Sequence, residues 1–378
     1  MNEVEYSSNN QNASYYLKNK RMLLIRRPVG KPAVEDFRWD EEILSHDNDD
    51  WFLILENMYV SIDPAMRGWM DSNTKSYLPP VPLGSVMRAS TISRVIQSQD
   101  KKTFPLNSLV LVDDGGVQSY CVISKNNKLA KKMVHLLPTK LAIPPSAYLS
   151  VLGITGLTAY FGMMRKGQPR SGDTVLVSGA AGATGSIAAQ IAKIHGCTVI
   201  GTAGSDTKCQ FLLNNKICDH VINYKTCKSL SREIRKACSS GKGVDIVFDN
   251  VGGQFLEAAL SNLNKGARIV LCGAISQYNN ANMSNPIASS GPRNYMNLLV
   301  KRATMSGFVV FDYRHEYASA IKDLATWIQN KQMVYKEHFF DGVGNFFPAF
   351  SSLFNGSNNG KVILNLISSN QASITSKL

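Results

Sequence analysis

Three glycines, Gly179, Gly182 and Gly185, interrupt VLVSGAAGATGSIAAQIAK, residues 175–193. Before them Val175, Leu176 and Val177 form a strand-like apolar run; after them Ile187, Ile191 and Ile194 fall on one face of a helix. A glycine turn between a strand and a helix lets backbone N–H groups approach a pyrophosphate, and the helix dipole favours its charge. Ala183 and Thr184, at the opening of that helix, belong to the same cradle. The spacing is G-x-x-G-x-x-G rather than G-x-G-x-x-G, and a purely structural turn would use the same glycines. The surroundings favour a dinucleotide. Further apolar strands at 198–201, 244–248 and 268–272 alternate with helical stretches, as a doubly wound parallel sheet requires.

The rest of the chain must position that turn. Residues 1–20 read as a flexible polar arm. From Arg21 onward the segments RMLLIRRPV, WFLILENMYVSIDP, STISRVIQS and SLVLVDDGGVQSYCVIS are short β runs separated by Pro, Gly and Asp. They predict a β-rich lobe over 21–147, rejoined at 330–370 by HFF and KVILNLI. A helix is expected after Pro144–Pro145 and a second over 152–167. The α/β portion, 148–329, closes with a strand at 305–311 and a helix at 316–329, and 371–378 is a polar tail.

Composition narrows the classes. With 378 residues, 44% hydrophobic and 18% charged, the chain reads as an ordinary soluble protein of two domains or one large one. No basic start followed by an apolar run suggests a leader, and no uncharged stretch is long enough for a membrane span. The net charge of +13 is spread out; its denser part, Lys125–Lys140, alternates with apolar residues and reads as a solvated strand or loop rather than a nucleic-acid surface. Seven cysteines at irregular spacing, without a C-x-x-C pair or histidines at ligand spacing, predict a reducing compartment and no structural zinc. The terminal Ser376-Lys377-Leu378 reads first as a peroxisomal import signal, with the cytoplasm as the alternative.

Several stretches resemble one family: YVSIDPAMRGWM (59–70), LGITGLTAYFG (152–162), VSGAAGATGS (177–186), GTAGSDTK (201–208), FDNVGG (248–253), LCGAISQYN (271–279), SGFVVFDY (306–313) and SNNGKVIL (357–364). Together they are similar to the zinc-independent medium-chain dehydrogenases/reductases, nearest in pattern to prostaglandin reductases and plant double-bond or 2-alkenal reductases. The resemblance implies a GroES-like lobe beside a Rossmann sheet, NADPH as cofactor, and reduction of the C=C bond of an α,β-unsaturated aldehyde or ketone. It also implies a homodimer, paired through the edge strand at 305–311. By the same resemblance Lys208, Tyr224 and Lys225 meet the 2′-phosphate. Asn250, the Cys272–Tyr278 loop with Gly273, the run Phe308, Val309 and Val310, and Asn358 hold the nicotinamide, its ribose and the phosphates. Tyr278 is the implied catalytic residue, bonding the ribose 2′-hydroxyl that faces the substrate carbonyl. One departure is Ala65, where relatives commonly carry tyrosine.

The residues support NADPH by a separate route. An acid at the end of the second strand would bond unphosphorylated ribose and repel a phosphate, whereas Gly201, Thr202, Ala203 and Gly204 are small and uncharged. Asp206 reads as a helix-start residue, and Asp63 and Arg67 as structural. Competing readings are a quinone oxidoreductase on the same scaffold, a nucleotide-binding protein without turnover and, lacking its ligands, a zinc alcohol dehydrogenase.

Overall fold

The computed structural model describes residues 17–44, 50–140, 142–238, 241–280 and 291–367, which fall into two compact units. One holds the chain through Leu149, Phe339–Leu353 and the described residues from Val362; the other holds Ser150–His338 and Phe354–Lys361.

The second unit is built on a six-stranded sheet, every neighbouring pair parallel: His220–Asn223, Thr198–Ala203, Thr174–Val177, Val244–Asp249, Leu263–Leu271 and Thr304–Gly307, in that spatial order. The chain starts in the middle at Thr174, winds outward to His220, then crosses back to Val244. The reversal leaves a crevice at the carboxyl ends of Thr174–Val177 and Val244–Asp249, where such sheets bind ligands. Central position explains composition: Val175, Leu176, Val177, Val247 and Phe248 are fully buried between helical layers. The helix Ala183–Ile194 turns Ile187, Ala188, Ile191 and Ala192 inward, so its small residues bring it close to the sheet.

The first unit is β-rich and antiparallel. Its long strand Trp51–Ile62 pairs with Thr91–Ser98, Tyr120–Ser124 and Lys361–Asn365. Leu109–Val112 and Val134–Leu136 extend the sheet on one side and Glu337–Asp341 on the other. Leu17–Leu24 and Phe37–Leu44 form a separate two-stranded ribbon. The fold class is a doubly wound Rossmann sheet with a β-rich lobe, as expected.

Several local expectations are corrected. Leu17–Lys20 are not arm but strand, because the buried Asn19 accepts the Tyr120 N–H at 2.9 Å and donates to Gln118 at 3.1 Å. Residues 1–16 and the tail 371–378, with Ser376–Leu378, lie outside the described residues. Pro145–Leu149 is a short 3₁₀ turn, and the next α-helix spans only Ile154–Phe161 before passing into a π-helical turn, Gly162–Gly167. Lys128–Lys132 is a short helix within the basic stretch. The last sheet strand ends at Gly307. Phe308 leaves the sheet because its ring fills space opened by Gly162, whose added Cβ would lie 2.8 Å from the ring, and Val310 begins a 3₁₀ segment. The stretch 330–370 does not all return to the first lobe. Gln190 accepts the Val334 N–H at 2.7 Å and donates to its carbonyl at 2.9 Å, while Gly360 bridges to Gly182, so 330–338 and 354–361 stay with the parallel sheet.

Phe248 tests the central packing. It is fully buried, and an added Cβ on Gly162 would meet its ring at 2.7 Å. Phe248→Ala should cost about 3–5 kcal/mol, read as an earlier urea midpoint for loss of the parallel-sheet unit.

Candidate functional site

The glycine turn has the geometry its spacing suggested. Gly179 has φ +56°, and the Gly182 N–H donates to its carbonyl at 2.9 Å. A Cβ on Gly185 would stand 2.3 Å from that same oxygen, so the helix can sit on the turn only without a side chain there. Ala183 and Thr184 open the helix, whose first-turn N–H groups lack intrahelical partners and meet no acidic residue in that turn. This cradle fits a pyrophosphate.

A second group of candidate residues lies at the end of Thr198–Ala203. Ser205 caps the helix Asp206–Asn214, accepting the Lys208 N–H at 3.3 Å, while Asp206 accepts an Asn223 side-chain bond at 2.7 Å. Asp206 thus lies in the first turn of that helix, as its position suggested. A Cβ on Gly204 would meet the Tyr224 hydroxyl at 2.6 Å, so this ring covers the glycine directly. Lys208 reaches the Gly356 carbonyl at 2.9 Å, and the Lys225 ammonium lies 4.0 Å from where a Gly356 Cβ would be. Burial, and then the Lys225 charge, pull the Lys208 ammonium below its ordinary 10.5. Among the described residues no carboxylate pairs with either lysine. The arrangement fits the phosphate of a phosphorylated ribose.

Of the remaining predicted residues, Asn250, Cys272, Gly273 and Tyr278 gather around Asp249. This carboxylate is fully buried; it accepts the Ser178 hydroxyl at 2.9 Å and the Val251 and Gly252 N–H groups at 2.9 and 3.0 Å. Burial raises its pKa above 3.8, and those donors oppose the shift. Ser178 in turn accepts the Asn250 N–H at 2.7 Å, and the Asn250 side chain donates to the Ser178 carbonyl at 2.7 Å. The Asp249 carbonyl receives the N–H groups of Cys272 and Gly273. Tyr278 folds back over this loop, its hydroxyl oxygen accepting the Ala274 N–H at 3.2 Å and lying 2.9 Å from where a Gly273 Cβ would be. Phe308 and Val309 are half-buried and Val310 is buried in an aromatic cluster with Leu157 and Phe161. Asn358 donates to the Gly360 carbonyl at 3.1 Å.

All seven cysteines are free. Burial, then the Asp249 charge, pushes the Cys272 thiol up to about 12, which disfavours the thiolate. Burial likewise raises Cys121 and Cys218 to about 12 and Cys197 to about 11, and lifts Cys209 and Cys238. In the first unit Asp63 accepts the Ser61 hydroxyl, and Arg67 binds Asp71 and the Gly30 carbonyl, both structural duties. Ala65 precedes the short helix Met66–Trp69.

Sequence reasoning missed three parts. A cavity of about 760 Å³ opens beside Tyr224, lined among others by Thr202, Val251, Gly252, Ser276 and Gln277. Its position at strand ends is what the switch-point rule would have indicated. Ser178 and Asp249 were visible as the flanks of the glycine turn and of FDNVGG. Gly356 gave no signal in a sequence 148 positions from Lys208.

The zinc-binding dehydrogenase family model matches residues 183–326, and that of the N-terminal domain of oxidoreductases matches residues 20–131. Among the described residues no three of His, Cys, Asp and Glu are placed to hold a metal ion, so the donor set does not fit the zinc in that name. Prostaglandin reductase 1 of Bos taurus is 37% identical over 346 residues, 91% of this chain and 98% of its own. The NADP(+)-dependent 2-alkenal reductase of Nicotiana tabacum is 34% identical over 351 residues, 92% and 97% respectively. The crystal structure of CurA from Vibrio vulnificus in complex with NADPH matches with TM-score 0.82 and 36% identity, over 92% of this chain and 99% of that one. No helix of the described residues is long and apolar enough to cross a membrane. The chain belongs to the medium-chain dehydrogenases/reductases, in the branch of the prostaglandin and 2-alkenal reductases.

Proposed function

We propose that this protein is an NADPH-dependent reductase of the C=C bond of α,β-unsaturated aldehydes or ketones. The observations that carry the cofactor choice are Lys208 and Lys225 brought together at Gly356, and the Tyr224 hydroxyl packed over Gly204 at the end of the second strand. The reaction class follows that of the relatives named 2-alkenal and prostaglandin reductases.

In this assignment Gly179, Gly182, Ala183, Thr184 and Gly185 hold the pyrophosphate, and Lys208 and Tyr224 the 2′-phosphate. The adenine occupies the cavity between Tyr224 and Val251. Asn250, Cys272, Gly273, Phe308, Val309, Val310 and Asn358 shape the nicotinamide end. When bound, NADPH supplies the hydride that adds to the substrate β-carbon. Negative charge then gathers at the carbonyl oxygen, where a preorganised donor is worth most. Tyr278, its oxygen held by the Ala274 N–H, would hold the ribose 2′-hydroxyl of the bound cofactor toward that charge, and solvent would protonate the α-carbon.

We further propose a homodimer. Thr304–Gly307 is the outer strand of the parallel sheet, and beside it Tyr295, Met296, Leu299 and Val300 are exposed. A bare strand edge next to an apolar patch suits a second copy of the chain.

Oxidation of NADPH with a short 2-alkenal, an enone and a quinone tests the reaction; turnover of the quinone alone overturns it. Tyr278→Phe should lower kcat by about tenfold to a hundredfold with less change in KM for NADPH, measured by steady-state kinetics. Lys208 must be charged to favour the phosphate, so the NADPH-over-NADH preference should be full at neutral pH. It should fall as pH rises through a midpoint below the ordinary lysine value of 10.5, followed by cofactor titration at each pH. Leu299→Lys should convert a dimer to a monomer, read by light scattering on a sizing column.

A further inference from the structure

We propose that Gly356 is a positioning residue for cofactor choice: its carbonyl aims the Lys208 ammonium at the 2′-phosphate, making the segment Gly356–Gly360 a strap that sets the NADPH-over-NADH preference. This rests on the assignment of Lys208 to the ribose phosphate. A lysine on a flexible four-carbon stem reads an anion poorly unless something fixes it. The bond to the Gly356 carbonyl at 2.9 Å uses one of three N–H donors and leaves two. The chemistry of the acceptor matters. A carboxylate in this place would neutralise the ammonium, whereas a carbonyl orients it and leaves its charge for the ligand.

The strap is rigid enough for that task. Gly356 has φ +76°, a left-handed conformation, and the next N–H, that of Ser357, is held by the Asn355 side chain at 2.8 Å. At the other end Gly360, φ +77°, forms a bridge to Gly182 and has no room for a side chain, since its Cβ would stand 2.1 Å from the Lys336 carbonyl oxygen. Between them the Asn359 N–H donates to His338 Nδ1 at 3.3 Å, and Asn358 donates to the Gly360 carbonyl. One five-residue segment thus touches the lysine of the phosphate site and the glycine that opens the pyrophosphate cradle.

Dissociation constants for NADPH and NADH, measured by nicotinamide fluorescence without substrate, test this in the full chain. Gly356→Ala has space, its nearest neighbour being Lys225 Nζ at 4.0 Å, but is strained at φ +76°. It should reduce the NADPH-over-NADH affinity ratio about fivefold or more, the loss of an aimed charge-assisted contact. Gly356→Asn, which tolerates left-handed backbone, should restore most of the ratio. With Lys208→Met in place, Gly356→Ala should change the ratio no further. An equal loss for both cofactors, or an unchanged ratio in Gly356→Ala while Lys208→Met abolishes it, overturns the strap alone. A ratio that survives Lys208→Met overturns the assignment of Lys208 and the strap with it.

Discussion

A single carboxylate deprived of water, Asp249, fixes the geometry on which the site depends. Its side chain binds Ser178 at the end of one central strand, its backbone carbonyl binds Cys272 and Gly273 at the end of another, and it terminates the strand between them. A charge in so dry a place is costly, and three donors within 3.0 Å are what offset the cost. Each of those donors belongs to a turn that borders the cofactor crevice. The carboxyl ends of three strands are therefore locked together before any ligand arrives, and preorganisation of this kind is what hydride transfer between two bound partners needs.

The cofactor end works by the opposite device. Instead of satisfied charge, it holds two lysines near each other, and burial first, then the Lys225 charge, pulls the Lys208 ammonium below its ordinary value. Such repulsion would be relieved by the dianionic phosphate proposed to bind there. The small residues Gly201 and Gly204 permit it. A Cβ at Gly201 would lie 2.6 Å from the Cys218 sulfur, and one at Gly204 would strike the Tyr224 hydroxyl. A longer acidic side chain at Gly204 would have to displace that ring.

Much of this was legible because local chemistry dictated it. The strand, turn and helix at 174–194 have a period and a glycine pattern that leave few alternatives, and the absence of an acid after Thr198–Ala203 is itself a positive signal. Other features escaped for physical reasons. His220–Asn223 is a short sheet-edge strand with one buried residue, too weak a pattern to register. The end of the last strand at Gly307 is set by the space over Gly162, a contact across 146 positions that no local propensity encodes. The split of the 330–370 stretch between two units hangs on Gln190 and Gly182, neither of which advertises a distant partner. Where structure follows from neighbours in sequence it could be read; where it follows from neighbours in space it could not.

The treatment of sulfur has a chemical consequence. Conjugated carbonyls are Michael acceptors that alkylate thiolates, and a reductase of the proposed kind would meet them as substrates. Thiolate is the attacking form, and six of the seven thiols are held protonated by burial, several near 11 or 12. Close packing, adopted here to stabilise a core, thereby also lowers the reactivity of those six thiols toward electrophiles.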